Sequence, residues 1–308
     1  MSGSYQPLTP HFHPLIHKLQ FLYKKIYNRF IYGCNEDIIL DFSNTKRFES
    51  NLMAGLYLVI EDAYKKNIDV KFILPDNKEY VGKDGAYKCF NYYTDEEYRR
   101  SFFKPRCIAG NPNTKEVEDV LTKFLFELDL CEQDKISIII SELIANIKMH
   151  VINRKINCKG FMSSTVIRKN SSLYITIVNN GRSIRNILID NGIIFNTDID
   201  AIYWILKKTN STRRYDETGG LGLYLVRKYI SELGGDIIIC SGSEIISLEN
   251  GGYILEDENY YLRENKSEII NDAFEGTFIT LRIPYKKNMF ASDKSQNQDT
   301  DLINILKE

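Results

Sequence analysis

The run SELIANIKMHV, Ser141 to Val151, sets Glu142, Asn146 and His150 four residues apart inside an otherwise oily segment. An α-helix turns once every ~3.6 residues, so positions i, i+4 and i+8 project from nearly one face. Ile138, Ile139, Leu143, Ile144 and Ile147 fill the neighbouring faces, and a helix this apolar is expected to be buried against a sheet. A polar stripe on a buried helix has to meet a partner, because an unmatched polar group away from water costs free energy.

The rest of the chain supplies the sheet. Ile38 to Phe42 and Asp69 to Leu74 read as strands flanking a helix from Ser50 to Lys66, a β-turn-α-β unit in which Ser50 is placed to cap the helix. PDNKEYVGKDG reads as a loop, and AYKCFNYYTDEEYRRSFFKPR as a helix followed by an aromatic and basic connector. Gly, Pro and Asn cluster in Ala109 to Lys115, which marks a domain boundary. Beyond it, Glu116 to Leu128 and Gln133 to Val151 have helical periodicity, and CKGFMSSTVIRKNSSLYITIVNNG reads as two strands joined at Lys169 to Ser172. A short helix is expected near Ile199 to Lys207, then a glycine run opens a helix that Gly234 and Gly235 close. DIIICS and GTFITLRIP are strands, with edge hairpins expected across Ser241 to Glu275. The divisions expected are therefore 1–34, an amphipathic helix with Leu15, Leu19, Leu22, Ile26 and Phe30 on one side; 35–108, a small α/β unit; 109–287, a larger α/β unit; and 288–308, a polar tail.

Composition narrows the function classes. Forty Lys and Arg stand against 41 Asp and Glu, a net charge of −1, so no global field gathers nucleic acid or acidic lipid. No apolar run approaches the ~18 residues of a membrane span, and cytoplasmic placement is the expectation. The six cysteines are scattered with no C-x-x-C pair, and they are read as reduced thiols rather than a disulfide framework or zinc site.

Three segments then stand in a telling order: the helix with Glu142 and Asn146, a strand ending in Val178-Asn179-Asn180-Gly181, and Gly219 to Leu223 opening a helix. Bare glycine amides at a helix N-terminus form a ready anion site, although a tight structural loop explains the glycines equally well. No G-x-x-x-x-G-K-[ST] is present, and no G-x-G-x-x-G follows a strand.

This arrangement resembles the GHKL superfamily of ATP-binding domains, which includes gyrase, the ninety-kilodalton heat-shock chaperone, histidine kinases and MutL. Its N-box E-x-x-x-N is matched by Glu142 and Asn146, and the extension to His150 looks most like the anti-sigma-factor serine kinases. Its D-x-G-x-G box is matched in place by Asn179-Asn180-Gly181-Arg182-Ser183, its G-x-G-L by Gly220-Leu221-Gly222-Leu223, and its Gly-Thr strand by Gly276-Thr277.

The resemblance implies an α/β fold, a two-layer α/β sandwich of the Bergerat type, binding ATP with Mg²⁺. It gives Asn146 to the metal, Glu142 the role of general base, and Gly220, Leu221, Gly222 and Leu223 the phosphates, with Asn179, Gly181 and Thr277 around the adenine. Arg213 or Arg214 would reach the terminal phosphate, although a solvated loop arginine is the simpler reading of each. His150 is read as a helix-end residue with no catalytic part.

Two positions depart from the pattern: Asn179 stands for the family's Asp and Ser183 for its second glycine. Asp190-Asn191-Gly192 restores the Asp, but it lacks the long preceding strand. The unit at 35–108 loosely resembles a STAS domain, with Ser50 alone at the place of that family's phosphoacceptor motif. The expected function is ATP hydrolysis or phosphoryl transfer to a protein serine. The alternative is a non-catalytic module whose nucleotide occupancy alters its hold on a protein partner; a homodimer is left open.

Overall fold

Isoleucine is the commonest residue of the segments that pair into sheets, and two sheets form among the described residues. The computed structural model describes residues 38–44, 50–74, 78–81, 102–109, 119, 132–147, 160–167, 171–207, 222–249 and 267–284. Strands β1 (Ile38–Asp41), β2 (Val70–Ile73) and β3 (Glu79–Val81) make a small sheet in that order, with β1 parallel to β2 and β3 antiparallel. Parallel neighbours require a crossover, which helix α1 (Ser50–Lys65) provides. Asn67, at φ 55°, ends it, with Ile68 N–H donating to Ala63 O at 2.9 Å. The loop expected after Leu74 therefore contains a short strand, β3.

The larger sheet has the order β4-β5-β6-β8-β7, from β4 (Phe102–Ala109), β5 (Gly160–Ile167), β6 (Ser172–Asn179), β7 (Asp236–Leu248) and β8 (Ser267–Pro284), all antiparallel. β4 replaces the connector expected there: its hydrogen bonds to β5 carry the chain across the 108/109 position. The edge hairpin expected across Ser241 to Glu275 has its arms in β7 and β8: Gly242, Glu244, Ile245 and Ile246 pair antiparallel with Phe274, Ile269, Glu268 and Ser267, prolonging the strands DIIICS and GTFITLRIP, and residues 250–266 lie outside the described residues.

Alternation along these strands sorts side chains into two cores. Leu173, Ile175 and Ile177 of β6, Ile279, Leu281 and Ile283 of β8, and Ile237 and Ile239 of β7 face helices α2 (Gln133–Ile147), α3 (Ile184–Asp190), α4 (Asp198–Ile205) and α5 (Gly222–Glu232). Val178, Phe278, Ile238 and Cys240 belong to the opposite core, which they share with α1 and with Ile38, Val70 and Phe72 of the small sheet. The larger sheet and α2 to α5 thus form a two-layer α/β sandwich, and the N-terminal unit covers its other side. Burial pushes the Cys240 thiol far above its ordinary range, so it behaves as a small apolar residue.

The parity of β7 reverses at Gly242, where φ is 64° and the register with β8 shifts. Ile246 and Leu248 then rejoin the helix-side core and Ile245 the other. Asp198 holds this bulge by accepting from Ser243 N–H at 2.9 Å and Ser243 Oγ–H at 3.0 Å. A Cβ on Gly242 would lie 2.3 Å from that carboxylate, which explains the glycine.

At the other end of β7, Arg282 Nε donates to Asp236 Oδ2 at 2.6 Å, the side chains being only 11% and 2% exposed. A charge-assisted bond so well buried is among the stronger kind. Asp236→Asn is expected to lower unfolding free energy by about 2 kcal/mol, read as a fall in the urea midpoint at unchanged slope. No described helix is long and apolar enough to cross a membrane.

Candidate functional site

Buried positions Ile136, Ile139, Ile140, Leu143, Ile144 and Ile147 repeat at intervals of three and four along α2 and fix its apolar side on the sheet. That orientation turns Glu142 and Asn146 toward α5. Lys135 Nζ reaches both Glu132 and Glu232 at 3.1 Å, tying the start of α2 to the end of α5. The two helices are therefore antiparallel neighbours, and the C-terminal half of α2 lies beside the first residue of α5.

Gly222 is that first residue. A Cβ built there would stand 3.1 Å from Glu142 Oε2 and 3.2 Å from both Asn146 Nδ2 and Asn146 Oδ1. The glycine lets the helix N-terminus approach the two polar side chains with its backbone. Glu142 Oε2 and Asn146 Nδ2 are buried atoms with no hydrogen-bond partner among the described residues. Leaving such groups unmatched costs ~1–3 kcal/mol each. They are the clearest sign on this face that a polar ligand or water belongs between α2 and α5. Leu223 follows in the first turn, half-buried against the helix-side core.

The second half of the site lies at the end of the sheet. Asn179 continues the inward row Leu173, Ile175, Ile177 on β6, and it pairs with Thr277 on β8, which pairs with Ser241 on β7. After three rows of isoleucine and leucine, the last row on the helix side is thus polar. Asn179, Thr277 and Ser241 are all buried. Asn179 Oδ1 accepts from Gly181 N–H at 3.0 Å, an Asx turn that carries the chain out of the strand.

Gly276 has φ 122°, and a Cβ there would fall 2.0 Å from Asn179 O. Only glycine admits the close approach that aligns Thr277 with Asn179. Ser241 Oγ accepts from Ile184 N–H at 2.8 Å, lies 3.1 Å from Gly276 O as donor, and touches Thr277 Oγ1 at 3.2 Å. Ser241 was not among the residues expected from sequence. It becomes visible only once β7 is registered beside β8, which puts it in the Asn179 row.

Ser183, the second departure from the family box, caps α3: its Oγ accepts from Asn186 N–H at 3.3 Å. A glycine could not make that bond. Asp190, in the rival Asp-Asn-Gly segment, ends α3 and is ion-paired to Arg182, while Asn191 Nδ2 donates to Ile187 O at 2.7 Å. Those residues serve the helix end.

Of the residues expected at the site, the structure thus brings Glu142, Asn146 and Gly222 together at one end of α5, and Asn179, Gly181 and Thr277 together at the end of the sheet. Gly220, Leu221, His150, Arg213 and Arg214 lie outside the described residues, as do the segment 1–34 and the tail. An amide oxygen and a carboxylate are hard donors suited to Mg²⁺, which keeps several waters and shares its remaining positions with phosphate oxygens. Glu142 Oε2 and Asn146 Oδ1, both beside Gly222, fit such a group, and Asn146 Nδ2, an N–H donor, fits a phosphate oxygen instead.

Residues 131–287, about half of the chain, match the family described as histidine kinase-, DNA gyrase B-, and HSP90-like ATPase. No curated protein matches the chain.

Proposed function

Because this chain belongs to the histidine kinase-, DNA gyrase B-, and HSP90-like ATPase family, we propose that it binds Mg-ATP between α2, the start of α5 and the Asn179 row. The observation carrying this reading is the pair of buried, unpartnered atoms, Glu142 Oε2 and Asn146 Nδ2, set against the N-terminus of α5. The backbone amides opening α5 at Gly222 and Leu223 hold the phosphates through the N–H groups that a helix start leaves free and through the helix dipole, and the resemblance adds Gly220 and Leu221 to that set. Asn146 Oδ1 holds the metal. Bound Mg²⁺ supplies neutralisation of charge across the triphosphate oxygens.

Glu142, one turn before Asn146, takes the proton from the attacking hydroxyl. That hydroxyl belongs to water in hydrolysis or to a protein serine in transfer, and positioning plus charge neutralisation serves either outcome. Asn179 and Thr277 face the base, and Gly181 fixes the Asn179 side chain. The protein acts as a cytoplasmic regulator of the anti-sigma-factor kinase kind. Its N-terminal unit, expected over 35–108 and likened to a STAS domain, meets the protein partner. The parallel β1-α1-β2 order supports that likeness.

The uncharged Asn179 favours a second reading, a module that binds nucleotide and partner without turnover. The test is Mg-ATP calorimetry on the wild type and Asn146→Ala, with phosphate release followed in parallel. Wild-type binding that depends on Mg²⁺ and weakens at least tenfold in the variant is the expected result. Binding with neither release nor transfer would leave the module, and no heat at all would end both readings.

A further inference from the structure

On the side of the large sheet that faces away from α2 to α5, one cross-strand row is apolar from β5 to β7. Phe161, Val178, Phe278 and Cys240 pair across the four strands, and all are buried. The next row begins Ser163, Thr176, Thr280, and the one after it is Thr165, Tyr174, Arg282, Asp236. Thr176 Oγ1 and Thr280 Oγ1 lie 3.1 Å apart and satisfy one another. Thr165 Oγ1 is buried with no hydrogen-bond partner among the described residues. Successive strand residues point to opposite faces, so Val178, Phe278 and Cys240 stand back to back with Asn179, Thr277 and Ser241. What covers this side is α1, which lies against β5 and β6. The ring of its Tyr57 is centred 5.9 Å from that of Phe161. Met53, Leu56, Val59 and Ile60 are all buried along α1, as befits a helix held between two sheets.

Resting on the nucleotide reading above, we infer that the seating of α1 on this apolar row regulates the pocket. The seated N-terminal unit holds Asn179 and Thr277 in register for the nucleotide, and bound nucleotide holds α1 seated. Close-packed interiors transmit displacement rather than absorb it. A Cβ on Gly276 would fall 2.0 Å from Asn179 O, so β6 and β8 have no slack at this pair. Any shift of Val178 or Phe278 under α1 therefore reaches the site row through one peptide unit. Seating is opposed by the buried Thr165 hydroxyl, which regains a hydrogen bond to water when α1 lifts. The face beneath also tolerates water, because one side of an antiparallel sheet is commonly solvated and its two rows beyond the apolar one are largely polar. The helix thus has two positions, seated and lifted, that nucleotide can bias. Coupling is reciprocal: the factor by which seating tightens nucleotide binding is the factor by which nucleotide tightens seating. A protein partner that grips the N-terminal unit in one position thereby sets the occupancy of the pocket.

The experiment uses the full chain with Mg²⁺, following ATP affinity by calorimetry and alkylation of Cys240 by peptide mass spectrometry. Tyr57→Ala removes the ring that packs on Phe161, on the side of the sheet away from the pocket, and Tyr57→Phe keeps it. Val166→Ala is the control, a buried valine of the helix-side core at the far end of β5 from the site row. The expected result is ATP binding weakened about fivefold or more in Tyr57→Ala, the lower end of ordinary coupling, and near wild type in Tyr57→Phe and Val166→Ala. Saturating Mg-ATP should slow Cys240 alkylation in the wild type, and Tyr57→Ala should speed it more than Val166→Ala does. Wild-type affinity in Tyr57→Ala, an equal loss in Val166→Ala, or Cys240 alkylation unmoved by Mg-ATP overturns the inference and leaves the nucleotide site standing. The alkylation of the wild type decides even where Tyr57→Ala does not fold. Failure of the wild type to bind ATP overturns the site, and the inference with it.

Discussion

Glu142→Gln is expected to slow ATP turnover by ~10²–10⁴-fold, the range for loss of a positioned general base, while Mg-ATP affinity stays within a few-fold. Gln keeps the length and shape of the side chain beside Gly222 but cannot take up the proton. The same substitution removes a carboxylate that has one buried oxygen without a hydrogen-bond partner. Relief of that desolvation should raise the melting temperature of the nucleotide-free protein. Slower turnover together with higher stability separates a catalytic carboxylate from a structural one, whose loss would lower both. Turnover unchanged in Glu142→Gln would remove this residue from the mechanism; a parallel collapse of affinity would make it a binding group.

Gly276→Ala should be among the most damaging single changes in the sheet. Its φ of 122° is strained for any L-residue, and the new methyl would lie 2.0 Å from Asn179 O and 2.9 Å from the same residue's carbonyl carbon. These are backbone atoms of a paired strand, so relief requires β6 and β8 to part at Asn179 and Thr277. A loss of about 4 kcal/mol or more is expected, above what backbone strain alone costs.

Gly192→Ala is the control. Gly192 has φ 80° with nothing within 4 Å of its would-be Cβ, so its replacement should cost only the conformational penalty, about 1 kcal/mol. Chemical denaturation of the two variants would compare collision with strain directly. Equal losses would mean that the sheet absorbs the methyl at Gly276.

Much of this arrangement was legible in the chain because it rests on short-range patterns. The spacing of isoleucines marks α2 from Gln133 through Ile147, beyond which the expected end lies outside the described residues, and the β-branched runs mark β1, β2, β5 and β6 to within a residue or two. Helical periodicity and a glycine run are local signals that single out Glu142, Asn146 and Gly222, the resemblance to the ATPase family associates them, and the structure sets them side by side.

What could not be read depends on partners far away in sequence. Ser241-Gly242-Ser243 follows directly on the strand DIIICS in sequence, and it is a bulge inside β7 that Asp198 holds by accepting from Ser243. Phe102–Ala109 is rich in basic and aromatic residues, and it is a strand because β5 offers an edge. Ser183 breaks the expected glycine pattern, and its use as a helix cap appears only with the α3 backbone in place.

The bulge at Gly242 also constrains how the length of this chain can vary. Side-chain direction along a strand has a period of two, so one residue gained or lost turns every later side chain to the opposite face. Gly242 has already used one such reversal to put Ile246 and Leu248 into the helix-side core and Ile245 into the other. Loss of Gly242 would take the reversal with it: plain alternation from Ser241 through Ser243, Glu244, Ile245 and Ile246 would leave Ile246 and Leu248 on the helix side and Ile245 on the other. A single residue gained between Glu244 and Ile245, beyond the bulge, would instead turn the far half of β7 to the opposite face, so one backbone angle marks where the strand can lose a residue and keep its facing.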